Sequence, residues 1–344
     1  MGVTIYDLAR AAGVGVGTVS RCLNNHPSVS AETRARVLSV VRRLNYQPHT
    51  YAQRLANRRT NTIAAIIPYF TNYFFLQVLQ GVQDQASEAG LDLILYGVNN
   101  PAQKELHLRK SLQRGKVDGV MLFSLKLPDA YAEKFRQMGL PLILVDSFDS
   151  RFDSIYVENR QGARVATEHL LALGHRSLAM ISADPGSEPA RDRIEGFRDA
   201  LAGAGIETVP ERIILPESHR LDGFSREAGR EAFQKLLPMI GRGGDGITAV
   251  FVASDVQAIG VLEAAREHGV AVPGDLALVS FDDIELAQHY RLTTMRQPMY
   301  EMGVLALQRL IHRCKEPACD VGSTSFTPRL VVRDSCGAAK GVIA

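Results

Sequence analysis

The residues of this 344-residue chain that could do catalytic chemistry are not arranged as catalytic residues are. The nine histidines stand apart from one another, and no serine or cysteine has a basic partner at a recognisable spacing. The four cysteines (Cys22, Cys314, Cys319 and Cys336) form no CxxC pair and are too few for a disulfide scaffold. The sequence therefore predicts a reduced, cytoplasmic protein without metal or cofactor, and it disfavours an enzyme.

The glycine-rich stretch at residues 13–17 superficially matches the phosphate loop of dinucleotide-binding proteins. Such a loop must follow a buried strand, and an acidic residue must end a second strand about 20 positions later. Here an amphipathic helical pattern precedes the glycines, and the acidic residue is absent. Nucleotide binding at this stretch is therefore not expected.

The candidates for ligand binding follow a series of apolar, β-rich runs. These runs lie at residues 63–68, 91–97, 119–123, 141–146, 177–182, 249–254 and 276–281. Helix-period stretches separate most of them, which predicts parallel sheets that are covered on both faces. In such sheets, ligands bind just past the carboxyl ends of the strands. That rule selects Tyr69, Phe70, Ser124, Asp146, Asp184, Ser254, Asp255, Asp282 and Asp283.

The first 60 residues differ in charge from the rest of the chain. They hold nine arginines and only two acidic residues, a net charge of +7, which leaves −5 for the remaining residues. A basic segment joined to an acidic body suggests that the segment binds a polyanion. A solvated helical face is the alternative, and local structure must decide between them.

The local pattern of this basic segment predicts short helices. Thr4 and Asp7 fit a capping box for a helix over residues 5–12, which Gly13 ends. A second short helix is expected over about 16–24, and Ser30 caps a third that runs to Leu44. A helix, a short turn containing glycine and a second short helix make a helix-turn-helix. Its second helix can enter the major groove of DNA.

The segment TIYDLARAAGVGVGTVSRCLNNHPSVSAETRARVLSVVRRLNYQPHTYAQRLA resembles the DNA-binding headpiece of the lactose/galactose repressor (LacI/GalR) family. The similarity continues through VDGVMLF, VATEHLLALGHRSLAMIS, VFVASDVQAIGVLEAAREHGVAVPGDLALVSFDD, LTTMRQP and LVVRDS, so it covers nearly the whole chain. The resemblance implies an all-α helix-turn-helix headpiece and an α/β sensor domain like the periplasmic sugar-binding proteins, with two doubly wound parallel-sheet subdomains. It also implies a homodimer on palindromic, double-stranded operator DNA.

The expected domain boundaries follow from these patterns. Residues 1–48 form the helix-turn-helix domain, and 49–60 form a hinge helix or linker. Residues 61–336 form the effector-binding and dimerisation domain. Within it, 61–160 plus 293–325 make one subdomain and 161–292 plus 326–336 make the other, and 337–344 are a tail.

The resemblance places the base-reading positions at Val16, Gly17 and Arg21 of the second helix. Val16 and Gly17 have no hydrogen-bonding side chain, so Arg21 is the residue able to bind guanine through two hydrogen bonds. A phosphate contact is the alternative for Arg21. The positions that match backbone anchors are Thr4, Tyr6, Thr18, Ser20, Asn24, Thr33 and Tyr46.

The stretch over residues 48–57 resembles the hinge helix of the family. It is shorter than the ~12–15 residues that an isolated helix needs, so it is expected to fold when two copies pair over the minor groove. Leu55 would be the apolar wedge between base pairs, and His49 and Ala52 are further DNA-binding positions. A plain linker is the alternative.

The resemblance also narrows the ligand site. Positions that hold effectors in sugar-responsive members are Asp146, Arg191, Asp282 and Gln297, and pocket-wall positions are Tyr69, Asn72, Tyr73, Phe74 and Phe224; Ser124, Ser254 and Asp255 complete the expected site. The alternative for Arg191 is a surface residue at the start of a helix, and for Asp146 and Asp282 it is a strand-end cap or a hinge salt bridge. Carboxylates and a guanidinium suit vicinal hydroxyls because each takes two hydrogen bonds in fixed geometry, and aromatic rings cover the apolar face of a sugar. Ser254 replaces an asparagine that is common in the family, which leaves the choice of sugar open.

The expected function is a sequence-specific, DNA-binding transcriptional repressor controlled by a small carbohydrate effector. The effector would change the closure between the sensor halves and, through it, the spacing of the hinge helices. A sugar-binding module without DNA binding would lack the headpiece, and an α/β enzyme acting on sugars or nucleotides would leave the basic head unexplained. No membrane partner is expected, since no run approaches the ~20 apolar residues of a membrane span.

Overall fold

The computed structural model describes residues 3–23, 26–46, 60–69, 71–217, 220–241 and 246–338. The chain divides into two compact units, Met1–Thr60 and Asn61–Ala344. Asn24, His49, Ala52, Leu55 and Phe70 lie outside the described residues, as does the hinge expected over 48–57. What the sequence predicts for these residues therefore stays a prediction.

The described part of the first unit contains the helices α1 (Ile5–Ala12), α2 (Val16–Leu23) and α3 (Ala31–Arg43). Thr4 caps α1 in the expected capping box. The Asp7 amide donates to Thr4 Oγ1 at 3.4 Å, and the Thr4 amide donates to Asp7 Oδ2 at 2.9 Å. Leu8, Val19 and Val37, one from each helix, are fully buried in the core between the helices. The predicted helix-turn-helix is confirmed.

The second unit contains two β-sheets in its described part. The strands of the first sheet are β1 (Thr62–Pro68), β2 (Asp92–Val98), β3 (Gly119–Phe123), β4 (Leu142–Val145), β5 (Asp153–Val157) and β11 (Ser323–Phe326). Their order is β11-β5-β4-β3-β1-β2, and all neighbours are parallel. The helices in these parts of the chain are α4 (Tyr73–Ala89), α5 (Pro101–Ser111), α6 (Asp129–Met138) and α12 (Met299–Lys315).

The second sheet has the same parallel architecture with one exception. Its strands are β6 (Leu178–Ile181), β7 (Ile213–Ile214), β8 (Ala249–Val252), β9 (Ala277–Asp282), β10 (Thr293–Arg296) and β12 (Arg329–Val331). The order is β12-β10-β9-β8-β6-β7, and only β12 is antiparallel to its neighbour. The accompanying helices are α7 (Asn159–Ala172), α8 (Glu188–Gly203), α9 (Arg226–Leu236), α10 (Asp255–Glu267) and α11 (Glu285–His289).

The central strands explain why the sequence shows unbroken apolar runs. Every residue of β1, β3, β4, β8 and β9 is buried, as expected for parallel strands that have helices on both faces. The predicted pair of doubly wound parallel sheets is confirmed. Within the described ranges, no helix combines the length and the apolar character needed to span a lipid bilayer.

The chain returns to the first sheet later than expected. Residues 293–325 were expected in the first half, but β10 pairs with β9 in the second sheet. This strand was missed because Thr293 and Thr294 interrupt the apolar pattern of a buried strand. They can be buried because distant groups accept from their hydroxyls: the Arg333 carbonyl from Thr293 Oγ1 at 3.1 Å, and Asp255 from Thr294 Oγ1 at 2.7 Å. The crossing follows β10, and α12 then packs against α4 in the first half.

Candidate functional site

The exposed face of α2 carries the residues predicted to read bases. Gly17 and Arg21 are exposed and Val16 is half-buried, whereas Val19 and Cys22 point into the core. Arg21 Nε donates a 3.2 Å hydrogen bond to the Gly17 carbonyl oxygen, so the side chain folds back along its own helix. A Cβ on Gly17 would meet Arg21 Nη2 at 3.8 Å and nothing closer. This face therefore offers a small-residue surface beside one guanidinium.

The predicted anchoring positions that the structure describes are Thr4, Tyr6, Thr18, Ser20, Thr33 and Tyr46. Tyr6 is exposed, and Thr18 and Ser20 are half-buried on α2. The hydroxyls of Thr4 and Thr33 already take part in hydrogen bonds at the starts of α1 and α3. Tyr46 is only 8% exposed and packs in the core of the first unit, so its ring stabilises this unit rather than adding to its outer surface.

A cavity of about 570 Å³, counting its open mouth, lies in the second unit at the carboxyl ends of strands from both sheets. We call it the main cavity. Eight of the twelve predicted ligand-binding residues line it: Tyr69, Asn72, Phe74, Ser124, Asp146, Phe224, Ser254 and Asp282. The lining residues that the sequence analysis did not select are Pro68, Phe75, Ser187, Pro189, Arg193, Asp222 and Val256.

Four of the lining residues have positive φ angles where strands end. Tyr69 after β1, Ser124 after β3 and Asp146 after β4 have φ angles of 56°, 43° and 55°, and Asp282 at the end of β9 has a φ of 120°. This left-handed conformation costs a residue with a side chain about 1–3 kcal/mol, so the surrounding packing must enforce it. The turns bring the side chains together: Ser124 Oγ donates to Asp146 Oδ2 at 2.5 Å.

Asp146 is the carboxylate that the first half of the second unit contributes to the main cavity. Its side chain is buried, and its Oδ1 has no hydrogen-bond partner among the described residues. Burial raises the pKa of Asp146 to about 6, although the hydrogen bond from Ser124 and the charge of Arg193 oppose the shift. A ligand hydroxyl that donates to Oδ1 would satisfy this buried group.

Arg193 on α8 is the cation of the main cavity. Its Nε donates to Asn159 Oδ1 at 2.9 Å, and its Nη1 donates to the Ala253 carbonyl oxygen. Nη1 also lies 3.5 Å from Asp282 Oδ1, and the guanidinium carbon is 3.8 Å from the centroid of the Phe281 ring. These contacts fix the planar group in place, which leaves its orientation independent of any ligand.

Asp282 is held from two sides at the end of β9. Gln297 Nε2 donates to Asp282 Oδ1 at 2.6 Å, on the same oxygen that faces Arg193. Burial raises the pKa of Asp282 to about 8; the Arg193 charge lowers it, and the nearby Asp255 carboxylate raises it further. Gln297 does not line the main cavity, so in this structure it positions Asp282 rather than facing a ligand.

Asp255 also lies outside the main cavity and holds structural elements together. Its Oδ1 accepts from Ser280 at 2.5 Å and from Thr294 at 2.7 Å, and its Oδ2 accepts from the Ile284 amide at 2.9 Å. These bonds join the start of α10 to β9, β10 and the start of α11. Ser254 lines the main cavity, but its Oγ caps α10 by accepting from the Gln257 amide at 3.3 Å.

The structure does not bring Arg191 or Tyr73 into the main cavity. The Arg191 side chain is 55% exposed, and its acidic neighbour is Asp192 at 3.7 Å. Tyr73 is exposed at the start of α4. The position between the carboxylates is taken by Arg193 instead. The helical spacing of the sequence could have distinguished the two arginines. Arg193 lies on the buried face of α8 with Pro189 and Phe197, and Arg191 does not.

The main cavity can therefore bind a ligand through a fixed set of polar groups and an aromatic wall. Asp146, Asp282 and Arg193 supply its polar groups, and Phe74 and Phe224 are part of its wall. This combination suits a polyhydroxylated ring and opposes an anion. Among the described residues, no group of three or more His, Cys, Asp or Glu side chains could hold a metal ion.

Comparisons with known proteins agree with both units. The model of bacterial regulatory proteins, lacI family, matches residues 4–49, and that of the periplasmic binding protein-like domain matches residues 167–336. The chain is 32% identical to catabolite control protein A of Priestia megaterium (97% of this chain, 99% of the relative). It is 33% identical to the ribose operon repressor of Escherichia coli strain K12 (96% of this chain, 99% of the relative).

A solved structure is similar over the whole length. The crystal structure of the lac repressor dimer bound to operator and the anti-inducer ONPF matches with a TM-score of 0.83 and 26% identity, covering 98% of this chain and 100% of that one. The resemblance of the sequence to this family is thereby confirmed at the level of sequence and fold. The chain belongs to the lacI family of bacterial regulatory proteins, and it is a DNA-binding transcription regulator rather than an enzyme.

Proposed function

We propose that this regulator is a cytoplasmic, homodimeric repressor of a palindromic operator and that a neutral carbohydrate bound in the main cavity controls it. One observation carries the ligand assignment. Asp146 and Asp282 line the main cavity together with the guanidinium group of Arg193, which Asn159 holds in place, and with aromatic side chains. The names of the relatives support the class, since one is a ribose operon repressor and another a lac repressor dimer on its operator.

The charges of the main cavity favour a neutral ligand. Asp146, Asp222 and Asp282 line it, and Arg193 is the one basic side chain in its lining among the described residues. At neutral pH a phosphorylated or carboxylated ligand would face the ionised Asp146 carboxylate, whose pKa is about 6, in a poorly solvated site where like charges repel strongly. Vicinal hydroxyls can instead donate to Asp146 and accept from Arg193 at the same time.

DNA binding is assigned to α2 and to the hinge. A symmetric dimer presents two copies of α2, which explains why the expected operator is a palindrome. Arg21 is the proposed contact to a guanine. Leu55 is the proposed wedge in the minor groove, and this part rests on the sequence because residues 47–59 lie outside the described ranges.

Control by a ligand follows from where the main cavity lies. Its walls come from both halves of the second unit, with Ser124 and Asp146 on one side and Arg193 and Asp282 on the other. A ligand that bridges these walls binds the closed arrangement of the halves more tightly than the open one. That difference in affinity is what shifts the equilibrium between the two states.

The proposal is tested in two steps with the purified full-length chain. Selection from random DNA should enrich a palindromic site, and a panel of neutral sugars should then be screened for a change in the affinity of that complex. Arg193→Gln should remove the sugar response while operator affinity stays near wild type. Failure to enrich a palindrome would overturn the operator assignment. Tight binding of a purine or a sugar phosphate, with no response to neutral sugars, would overturn the effector assignment.

A further inference from the structure

A second cavity adjoins the main cavity at Asp146, the one residue that lines both among the described residues. It measures about 1210 Å³, counting its open mouth. Its walls are the loop after β4, the end of β5 with the start of α7, and α8. The α8 helix presents Glu188 and Asp192 to it, each directly before a residue that lines the main cavity. We call this second cavity the side chamber.

Two buried polar atoms at the junction have no partner. Asp146 Oδ1 and Ser147 Oγ belong to side chains that are more than nine-tenths buried, and neither has a hydrogen-bond partner among the described residues. Both residues line the side chamber. Because an unpaired buried polar group is costly, native sites of this kind are completed by a ligand or by water. The junction therefore holds two buried polar atoms whose hydrogen-bonding capacity the described residues leave unused.

An aromatic surface lies next to these atoms. Phe148 is 49% exposed, and its ring centroid is 5.4 Å from that of Tyr156 at an interplanar angle of 62°. Both rings line the side chamber. An exposed phenylalanine beside polar walls suits a ligand with an apolar face and a polar rim, which describes a sugar ring.

The charges of the side chamber restrict the ligand further. Five carboxylates and two guanidinium groups line it. Two of the carboxylates are already engaged: Asp199 pairs with Arg160, and Glu158 accepts from two hydroxyls. Glu188 and Asp192 are half-buried at the wall, and Asp192 Oδ1 lies 3.7 Å from Arg191 Nε; both carboxylates can accept hydrogen bonds from hydroxyls and would oppose an anion.

We propose that the side chamber is a second sugar subsite and that the effector is a neutral oligosaccharide of at least two units. One unit occupies the main cavity, the linkage passes Asp146, and the next unit lies against Phe148 with its hydroxyls directed at Ser147, Glu188 and Asp192. This inference rests on the proposed carbohydrate effector. It adds that a single sugar unit leaves half of the site unused.

The test is calorimetry on the full-length protein with matched sugars. The pairs are glucose with cellobiose and with maltose, galactose with lactose, and xylose with xylobiose. At least one disaccharide should bind about tenfold more tightly than its monosaccharide, as stacking of one further ring predicts. Phe148→Ala should remove that gain and change monosaccharide affinity less than about twofold. The matched control is Met138→Ala, which removes a side chain of similar exposure, 46%, outside both cavities.

A second variant fills the side chamber with a larger side chain, whereas Phe148→Ala removes the ring of one of its wall residues. Gln161 lines it at the start of α7, and Gln161→Trp should exclude the second sugar while the first still binds. If monosaccharides bind as tightly as disaccharides in every pair, or if Phe148→Ala weakens both members equally, the subsite is wrong and the carbohydrate effector stands. If no sugar binds, the carbohydrate assignment fails and the subsite fails with it. Thermal unfolding of each variant checks that the fold is retained.

Discussion

The outer face of α2 and the main cavity hold their arginines in opposite ways. Arg21 has a hydrogen bond to a carbonyl four residues away on its own exposed helix. Arg193 is buried and donates to groups that are 34 and 60 residues away in the chain. A surface that meets DNA can leave its hydrogen bonds to the partner, because phosphates and base edges supply them. A small-molecule site must fix its polar groups beforehand, because the ligand has few groups to offer.

The largest effect that this comparison predicts is on stability. Arg193→Ala should lower the free energy of unfolding of the second unit by about 3–5 kcal/mol, since it leaves the buried acceptors Asn159 Oδ1 and Ala253 O without their donor and removes the side chain that packs on Phe281. Arg191→Ala, two residues away on the exposed face, should change it by less than about 0.5 kcal/mol. Denaturant unfolding followed by circular dichroism measures both. Equal costs for the two variants would show that Arg193 is no more fixed than a surface arginine.

The buried carboxylates predict a pH dependence opposite in sign to that of Asp7 in the first unit, where the hydrogen bonds with Thr4 lower the pKa. The pKa of Asp146 is about 6 in the folded protein, against a usual value of 3.8, because burial disfavours the charge. The folded state therefore binds this proton more tightly, and the free energy of unfolding should fall by about 1–3 kcal/mol as pH rises from 4.5 to 7.5. Asp146→Asn removes this loss, so its melting temperature relative to wild type should increase over the same range. Calorimetry at both pH values gives the comparison, and parallel pH profiles would contradict it.

Replacing the arginine on α2 should change the affinity for DNA and leave the free energy of unfolding unchanged. Arg21→Ala should weaken operator binding by about 1–3 kcal/mol and relax the preference at one base pair in each half-site. Arg43→Ala on α3 is the control, because it removes the same charge from another exposed helix of the same unit. Titrations of operator and of random DNA at fixed salt measure both variants. Equal losses on the two DNAs would make Arg21 a phosphate contact.

The same contrast explains what the sequence could predict. The first unit is made by neighbours in the chain: Thr4 and Asp7 cap α1 from three residues apart, and the core repeats with helical spacing. The buried central strands can also be predicted, because each is an unbroken apolar run in the sequence. Local patterns were sufficient for both.

The elements that were missed depend on distant partners. The β5 strand begins with Asp153, a buried residue that reads as a loop, yet its carboxylate accepts from Arg309 at 3.0 Å and from Arg313 at 2.7 Å, 156 and 160 residues away. Arg193 was missed for the same reason, because an arginine in a helix is a surface residue unless long-range acceptors surround it. Eight predicted cavity residues could be selected because they directly follow strands or match a known motif, whereas Arg193 has only its helical phase to distinguish it.

The smallest expected effect separates folding from binding on α2 itself. A Cβ on Gly17 fits the structure, since Arg21 Nη2 at 3.8 Å is its nearest contact, and alanine is favoured over glycine within a helix by up to about 1 kcal/mol. Gly17→Ala should therefore raise the thermal stability of the first unit. It should weaken operator binding nonetheless, because a glycine at a base-reading position lets the backbone approach the groove closely. Ser39→Ala on the exposed side of α3 is the control, with a gain in stability and unchanged DNA affinity. If Gly17→Ala binds the operator as well as wild type, the α2 backbone does not approach the base edges closely, and specificity at this helix rests on Arg21 and Val16.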